Sequence, residues 1–140
     1  MRLSRELRLW SAGANQNSPV ANSWSGTLHE DTWGEFWRLS ATVEGSIDSQ
    51  TGCVCNIQRN DEILRSTVAT NIFRCTESRG YDLSIVGAAL LASLRNVRLE
   101  NALHLDVAAL EFQLSPFTRV SVDKESMAMV FVTQSYEFSA

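Results

Sequence analysis

The chain has two histidines, three cysteines and two prolines in 140 residues. His29 and His104 are isolated from one another. Cys53, Cys55 and Cys75 form too small and odd a set for a disulfide-framed secreted domain, and they fit a reducing cytoplasm. Long hydrophobic runs are absent as well. The longest nearly uncharged apolar stretch, Leu83 to Leu94, is too short to span a bilayer and reads as a buried helix. The opening Met1-Arg2-Leu3-Ser4-Arg5-Glu6 has no apolar core of a secretory signal, so none is expected. Basic residues are in deficit, 12 against 16 acidic, for a net charge of -4. Without a basic patch, a nucleic-acid partner is not expected. The sequence holds no glycine-rich phosphate loop, nucleophile elbow or pair of catalytic carboxylates.

What the chain does have is core material, with 44% hydrophobic and 20% charged residues, enough for one domain over 1–140. Leu7 and Leu9 alternate with polar neighbours over residues 5–12, as in a strand. Gly13 to Gly34, rich in Asn, Ser and Gly, reads as a long loop. Residues 36–47 give the clearest strand, with Trp37, Leu39, Ala41 and Val43 on one face and Arg38, Ser40, Thr42 and Glu44 on the other. Asp48 to Gly52 reads as a turn. Asn60 or Asp61 is expected to cap a helix through Val68, and Ser84 one through Leu94. Thr70 to Gly80 reads as a loop, and Glu100 to Leu114 as a third helical run ended by Pro116. Thr118–Val122 and Ala128–Phe138 have strand composition. Strands, a helical middle, then strands imply α+β with an antiparallel sheet.

The run Trp37-Arg-Leu-Ser-Ala-Thr-Val-Glu-Gly-Ser-Ile-Asp-Ser-Gln-Thr-Gly-Cys-Val-Cys-Asn-Ile57 resembles a segment of the 6-pyruvoyl-tetrahydropterin synthase and 6-carboxy-tetrahydropterin synthase family. In that family a strand ends Val-x-Gly, a turn carries Asp-x-x-Thr-Gly, and an extended piece leads to the first helix. Val43-Glu44-Gly45, Asp48, Thr51 and Gly52 fit without gaps. The resemblance is good over residues 36–68 and loose elsewhere. It implies the tunnelling fold: a four-stranded antiparallel sheet with two to three helices on one face, whose protomers join edge to edge. It further implies lyase chemistry on dihydroneopterin triphosphate, with zinc held by three histidines polarising the substrate.

Carried over position by position, that zinc site is missing. Ala14 stands where the first histidine is expected, after Trp10-Ser11-Ala12-Gly13. Trp33-Gly34-Glu35 replaces His-Gly-His, so only Glu35 retains a donor atom. Leu28-His29-Glu30-Asp31 lacks the family's cysteine, and residues 65–80 lack its Asp-His pair. No zinc or other cofactor is therefore expected. For the pterin, the resemblance points to Glu100-Asn101, as the pair opening a second helix, and to Glu125 after Val120-Ser121-Val122, as a buried carboxylate accepting ring N–H bonds, although the residues alone lean to Glu125 as a strand-end surface charge.

Several features have two readings. Cys53-Val54-Cys55, with Cys75 or His29, is a thiol set for a metal, but buried packing is favoured because the spacing fits no zinc signature. His29 beside Glu30 and Asp31 reads as a solvated loop, and His104 as a surface or boundary residue. Trp24, Trp33 and Trp37 read as core or interface anchors rather than pocket walls, and the family resemblance favours the interface. Gln134 to Ala140 resembles the opening strand of another family domain, so 127–140 is expected to begin a second, truncated repeat.

Two functions follow. In the favoured one the chain is catalytically silent, a structural partner in a homo-oligomer or beside a related pterin-synthase-like domain. In the other it is an active lyase whose metal ligands come from another chain or domain. A small-molecule pterin is the expected ligand; neither a nucleic acid nor a membrane is an expected partner.

Overall fold

A computed structural model describes residues 1–11, 35–50, 52, 53, 55–79, 82–100, 105–126 and 129–138. The elements are β1 (Arg2–Ser11), β2 (Glu35–Gly45), α1 (Ile57–Leu64), a π-helical turn (Arg65–Ala69), α2 (Thr70–Arg79), α3 (Leu83–Asn96), β3 (Leu105–Ser115), β4 (Thr118–Asp123) and β5 (Phe131–Gln134). The strands form one antiparallel sheet in the order β1-β2-β3-β4-β5. The fold is α+β, as expected, but the sheet has five strands rather than four.

Alternation decides which face is covered. Leu7, Leu9, Trp37, Leu39, Ala41, Val43, Val120 and Val122 are buried against the helices. One register row runs Leu7, Leu39, Phe112, Val120 across four strands. Phe112 stacks on Trp37 (centroids 5.7 Å apart) and meets Phe73 of α2 edge-on (6.5 Å). Trp37, expected at an interface, is thus core. Trp24 and Trp33 lie outside the described residues.

Where a third helix is expected over Glu100–Leu114, the described residues from Leu105 on form strand β3 (Leu105–Ser115) instead. The bulge in β3 explains the misreading. Thr42 pairs with Ala109 but Val43 with Val107, so Ala108 is an extra residue. It shifts the alternation by one, leaving Leu105 and Val107 inward before it and Leu110 and Phe112 inward after it. The resulting buried set mixes spacings of two and three, which imitates a helical period.

Thr70–Arg79, expected as loop, continues the helix begun at Ile57. Its hydroxyl residues lower intrinsic helix propensity, but those of Ser66, Thr67, Thr70 and Thr76 bond back to earlier carbonyls of the helix. Ser66 donates to Glu62 O (2.8 Å), Thr67 to Ile63 O (2.6 Å) and Thr76 to Ile72 O (2.9 Å). Thr70 donates five residues back, to Arg65 O at 3.1 Å, where the π-helical turn opens the spacing. The buried stripe Leu64, Val68, Ala69, Ile72 supplies the packing that propensity does not. Both caps fall earlier than expected: Asn56 accepts from Arg59 N–H (3.2 Å), and Asp82 from Ser84 N–H (2.7 Å).

The turn after β2 forms as expected. Gly52 N–H donates to Asp48 O (2.8 Å), and Asp48 N–H to Cys53 O (2.9 Å). Gly52 has φ +67°, a conformation glycine adopts without a Cβ penalty. The last strand is shorter than the expected Ala128–Phe138, pairing only over Phe131–Gln134 in the same sheet. No described helix is long and apolar enough to cross a membrane.

The segment leading into β5 lies on α3 at Gly87. A Cβ there would stand 2.6 Å from Val130 Cγ1. Gly87→Ala is therefore expected to lower stability and loosen β5, seen as a lower urea midpoint and faster amide exchange over 131–134. Val130→Ala in the same chain removes the colliding methyls and is expected to restore most of the loss. A Gly87→Ala protein as stable as the parent contradicts this contact.

Candidate functional site

The face of the sheet away from the helices follows from the same alternation. Its rows read Arg8, Arg38, Gln113, Arg119; then Glu6, Ser40, Glu111, Ser121; then Arg2, Glu44, Asp106. Arg8 and Arg38 stand directly opposite each other, a repulsive pairing that Glu6 relieves at 3.6 and 3.9 Å. Glu111 meets Arg119 at 3.6 Å, and Lys124 pairs with Asp106. These are half-exposed ion pairs that keep the face wet and fix register, and each contributes little stability. Arg2 lies between Glu44 and Glu125 (3.0 Å to the latter), and those two carboxylates push its guanidinium pKa up.

Glu125 is accordingly on the surface, its side chain 81% exposed and bound to Arg2, the strand-end surface charge that the residue reading leans to and not the buried carboxylate that the resemblance implies. Glu100 lies in a turn after α3, and the next described residue is Leu105, which opens β3. Glu100 N–H donates to the side-chain oxygen of Asn60 (3.2 Å), a residue buried in α1. Asn101 lies outside the described residues, as do Ala14, His29, Glu30, Asp31, Trp33, Gly34 and His104. Glu35 opens β2.

One hollow is lined by chain neighbours of two of the three pterin candidates, Glu100 and Glu125. It measures about 240 Å³, and its walls include Arg95, Arg98, Leu99, Asp106 and Lys124. Glu100 follows Leu99 and Glu125 follows Lys124, so sequence neighbours of both belong to one concavity. Its floor is apolar, from Leu94, Val97 and Leu105, and its rim carries three cations against one acid. Arg98 donates to Arg95 O (3.0 Å) and Val97 O (2.8 Å), covering the carbonyl end of α3. Sequence reasoning missed Arg95 and Arg98, since single arginines at a helix end carry no motif.

A second hollow, about 530 Å³, runs between α2 and α3, lined by Asn71, Arg74, Cys75, Ser84, Ile85 and Ala88 among others. Asn71 bridges the two helices, donating to Ala89 O (3.1 Å) and Ser93 Oγ (2.9 Å), and its oxygen accepts from Cys75 Sγ (3.8 Å). Cys75 thus packs between helices, and none of the three thiols is in a disulfide. Among the described residues, no three of His, Cys, Asp and Glu stand close enough to hold a metal. Between the helices and β1, Arg5 forms a two-oxygen bridge to Asp61 (2.7 to 3.2 Å). Arg65, its pKa lowered chiefly by burial, donates to Arg8 O (3.1 Å).

No family model matches this chain, and no curated protein does. Among solved structures, it is similar to the 6-pyruvoyl tetrahydropterin synthase of Caenorhabditis elegans. The alignment covers 97% of this chain and 96% of that one, at 10% identity and a TM-score of 0.49. A likeness of that size says nothing of activity or ligand here.

The rim of the larger hollow gives a pH test. The Ser84 hydroxyl and N–H hold the Asp82 carboxyl below its ordinary 3.8. The charged cap therefore stabilises α3 fully above the unfolded value, and that contribution fades as pH falls through the lower folded value. Asp82→Asn keeps an N-cap without the charge. The stability advantage of the parent over Asp82→Asn, from urea unfolding, is expected to shrink between pH 7 and about pH 3. An advantage unchanged over that range contradicts a charged cap.

Proposed function

We propose that this chain is a domain of the pterin-synthase type without the family's zinc centre, serving as a structural partner in an assembly. The observation that carries this reading is the turn after β2. The residues that resemble the family sit where the backbone needs each type. Gly45 ends the strand, Asp48 closes the turn, and Gly52 takes the left-handed position. The antiparallel sheet with helices on one face is the layout that resemblance implies.

The donor set does not fit zinc. At the three matched positions, alanine and tryptophan (Ala14, Trp33) offer no lone pair, and Glu35 alone is too few ligands. No step is assigned to a metal. In the same reading the hollow beside Arg98 and Lys124 is the pterin site, with Glu125, Glu100 and Asn101 as its contacts. A cytoplasmic setting fits three unbridged thiols.

The purified chain is expected to carry well under one zinc per molecule by elemental analysis, and to give no turnover of dihydroneopterin triphosphate. Stoichiometric zinc retained through mild chelation, or turnover, contradicts the silent reading and favours an active lyase completed by another chain. Neopterin binding, followed by its fluorescence, is expected to weaken about tenfold or more in Glu125→Ala, the loss of a hydrogen bond to a charged group.

A further inference from the structure

One row of the open sheet face differs from its neighbours. Strand register carries it across all five strands as Arg8, Arg38, Gln113, Arg119 and Thr133. At the usual strand spacing the row is about 19 Å long, with its three arginines inside about 14 Å. β1, β2 and β4 each supply one of those arginines, so the sequence shows no basic run. All three side chains are half-exposed.

Arg8 and Arg38 stand opposite each other, a like-charge pairing that is unfavourable in a sheet. The carboxylates of the chain itself hold this row loosely. Glu6 reaches Arg8 and Arg38 at 3.6 and 3.9 Å, and Glu111 reaches Arg119 at 3.6 Å. Those separations are longer than a hydrogen bond. Arg5, turned toward the helices, gives the contrast: its two-oxygen bridge to Asp61 spans 2.7 to 3.2 Å. Arg38 and Arg119 can therefore still make the paired N–H···O bonds that a well-placed carboxylate accepts.

We propose that this row binds a short, extended acidic segment of a partner protein, lying across the strands with its carboxylates on Arg8, Arg38 and Arg119. One exposed ion pair contributes little, so binding has to come from several arginines met by a single chain. The basic strip is one residue deep, because Glu6 and Glu111 lie in the next row, about 6.8 Å away. A nucleic-acid duplex, with a major groove about 12 Å wide, cannot stay within that strip. The net charge of -4 also repels a long polyanion more than a short one. Gln113 and Thr133 are uncharged hydrogen-bonding groups, which suit peptide amides better than a phosphate at every step. From the proposed function this takes only that the chain has a protein partner; zinc content and turnover do not bear on it.

The probe is a fluorescein-labelled peptide of alternating glutamate and serine, about eight residues long to span the row. Its anisotropy is followed against the full chain at about 10 mM salt, where screening is weak. Saturable binding is expected, weakening as salt is raised. Arg38→Gln/Arg119→Gln is expected to raise Kd at least about tenfold. Removing one of two opposed arginines relieves repulsion, so folding is retained, as circular dichroism checks. Arg59→Gln/Arg74→Gln makes the same change of charge at exposed helix positions and is expected to leave Kd within about twofold. Three results overturn the proposal. One is no saturable binding by the parent at about 100 µM; another is an equal loss in the two double variants; the third is tighter binding of a single-stranded oligonucleotide of the same length than of the peptide.

Discussion

The structure depends on the phase of Phe112. Its ring lies between Leu39 and Val120 in the sheet, stacked on Trp37 and met edge-on by Phe73. Three strands and α2 therefore meet on one side chain. Aromatic pairs of this geometry contribute about 0.5–1.5 kcal/mol each beyond burial. Removing such a ring costs about 3–5 kcal/mol, a large share of the roughly 5–15 kcal/mol that holds a domain folded. With Phe112 turned to the helices, Glu111 and Gln113 must face away. The bulge at Ala108 then lets Leu105 and Val107 reach the same core despite their odd spacing from it. The charged face, with its arginine and glutamate rows, is the other consequence of that one orientation.

The same orientation separates what is legible in the sequence from what is not. β1, β2 and β4 alternate cleanly, and the turn from Asp48 to Gly52 needs the residues it has, so these can be read directly. β3 cannot, because one inserted residue breaks a period-two pattern into something nearer a helix. The second half of the long helix is hidden by Thr70 and Thr76. Their hydroxyls suggest a loop until they are seen bonded back to the preceding turn. Trp37 is misleading for a simpler reason: a tryptophan serves core and interface equally well, and only its neighbours decide.

The candidate site is legible in part. Position in a motif points to Glu100 and Glu125, and the fold sets their sequence neighbours around one hollow. The settings that the motif implies for them are not the ones they have, since Glu100 precedes a strand and Glu125 lies in solvent beside Arg2. Arg95, Arg98 and Lys124 come from separate stretches that only tertiary structure collects. The same holds for Arg8, Arg38 and Arg119, which only strand register brings into one row.

Under the proposed function the chain is a pterin-synthase type of scaffold with Ala14, Trp33 and Glu35 at the positions matched to the zinc histidines. Zinc titration by calorimetry tests it directly, comparing the parent with Ala14→His/Trp33→His/Glu35→His. The account predicts no saturable one-to-one binding by the parent and a new one-to-one isotherm for the triple variant. One-to-one zinc binding by the parent chain would contradict it.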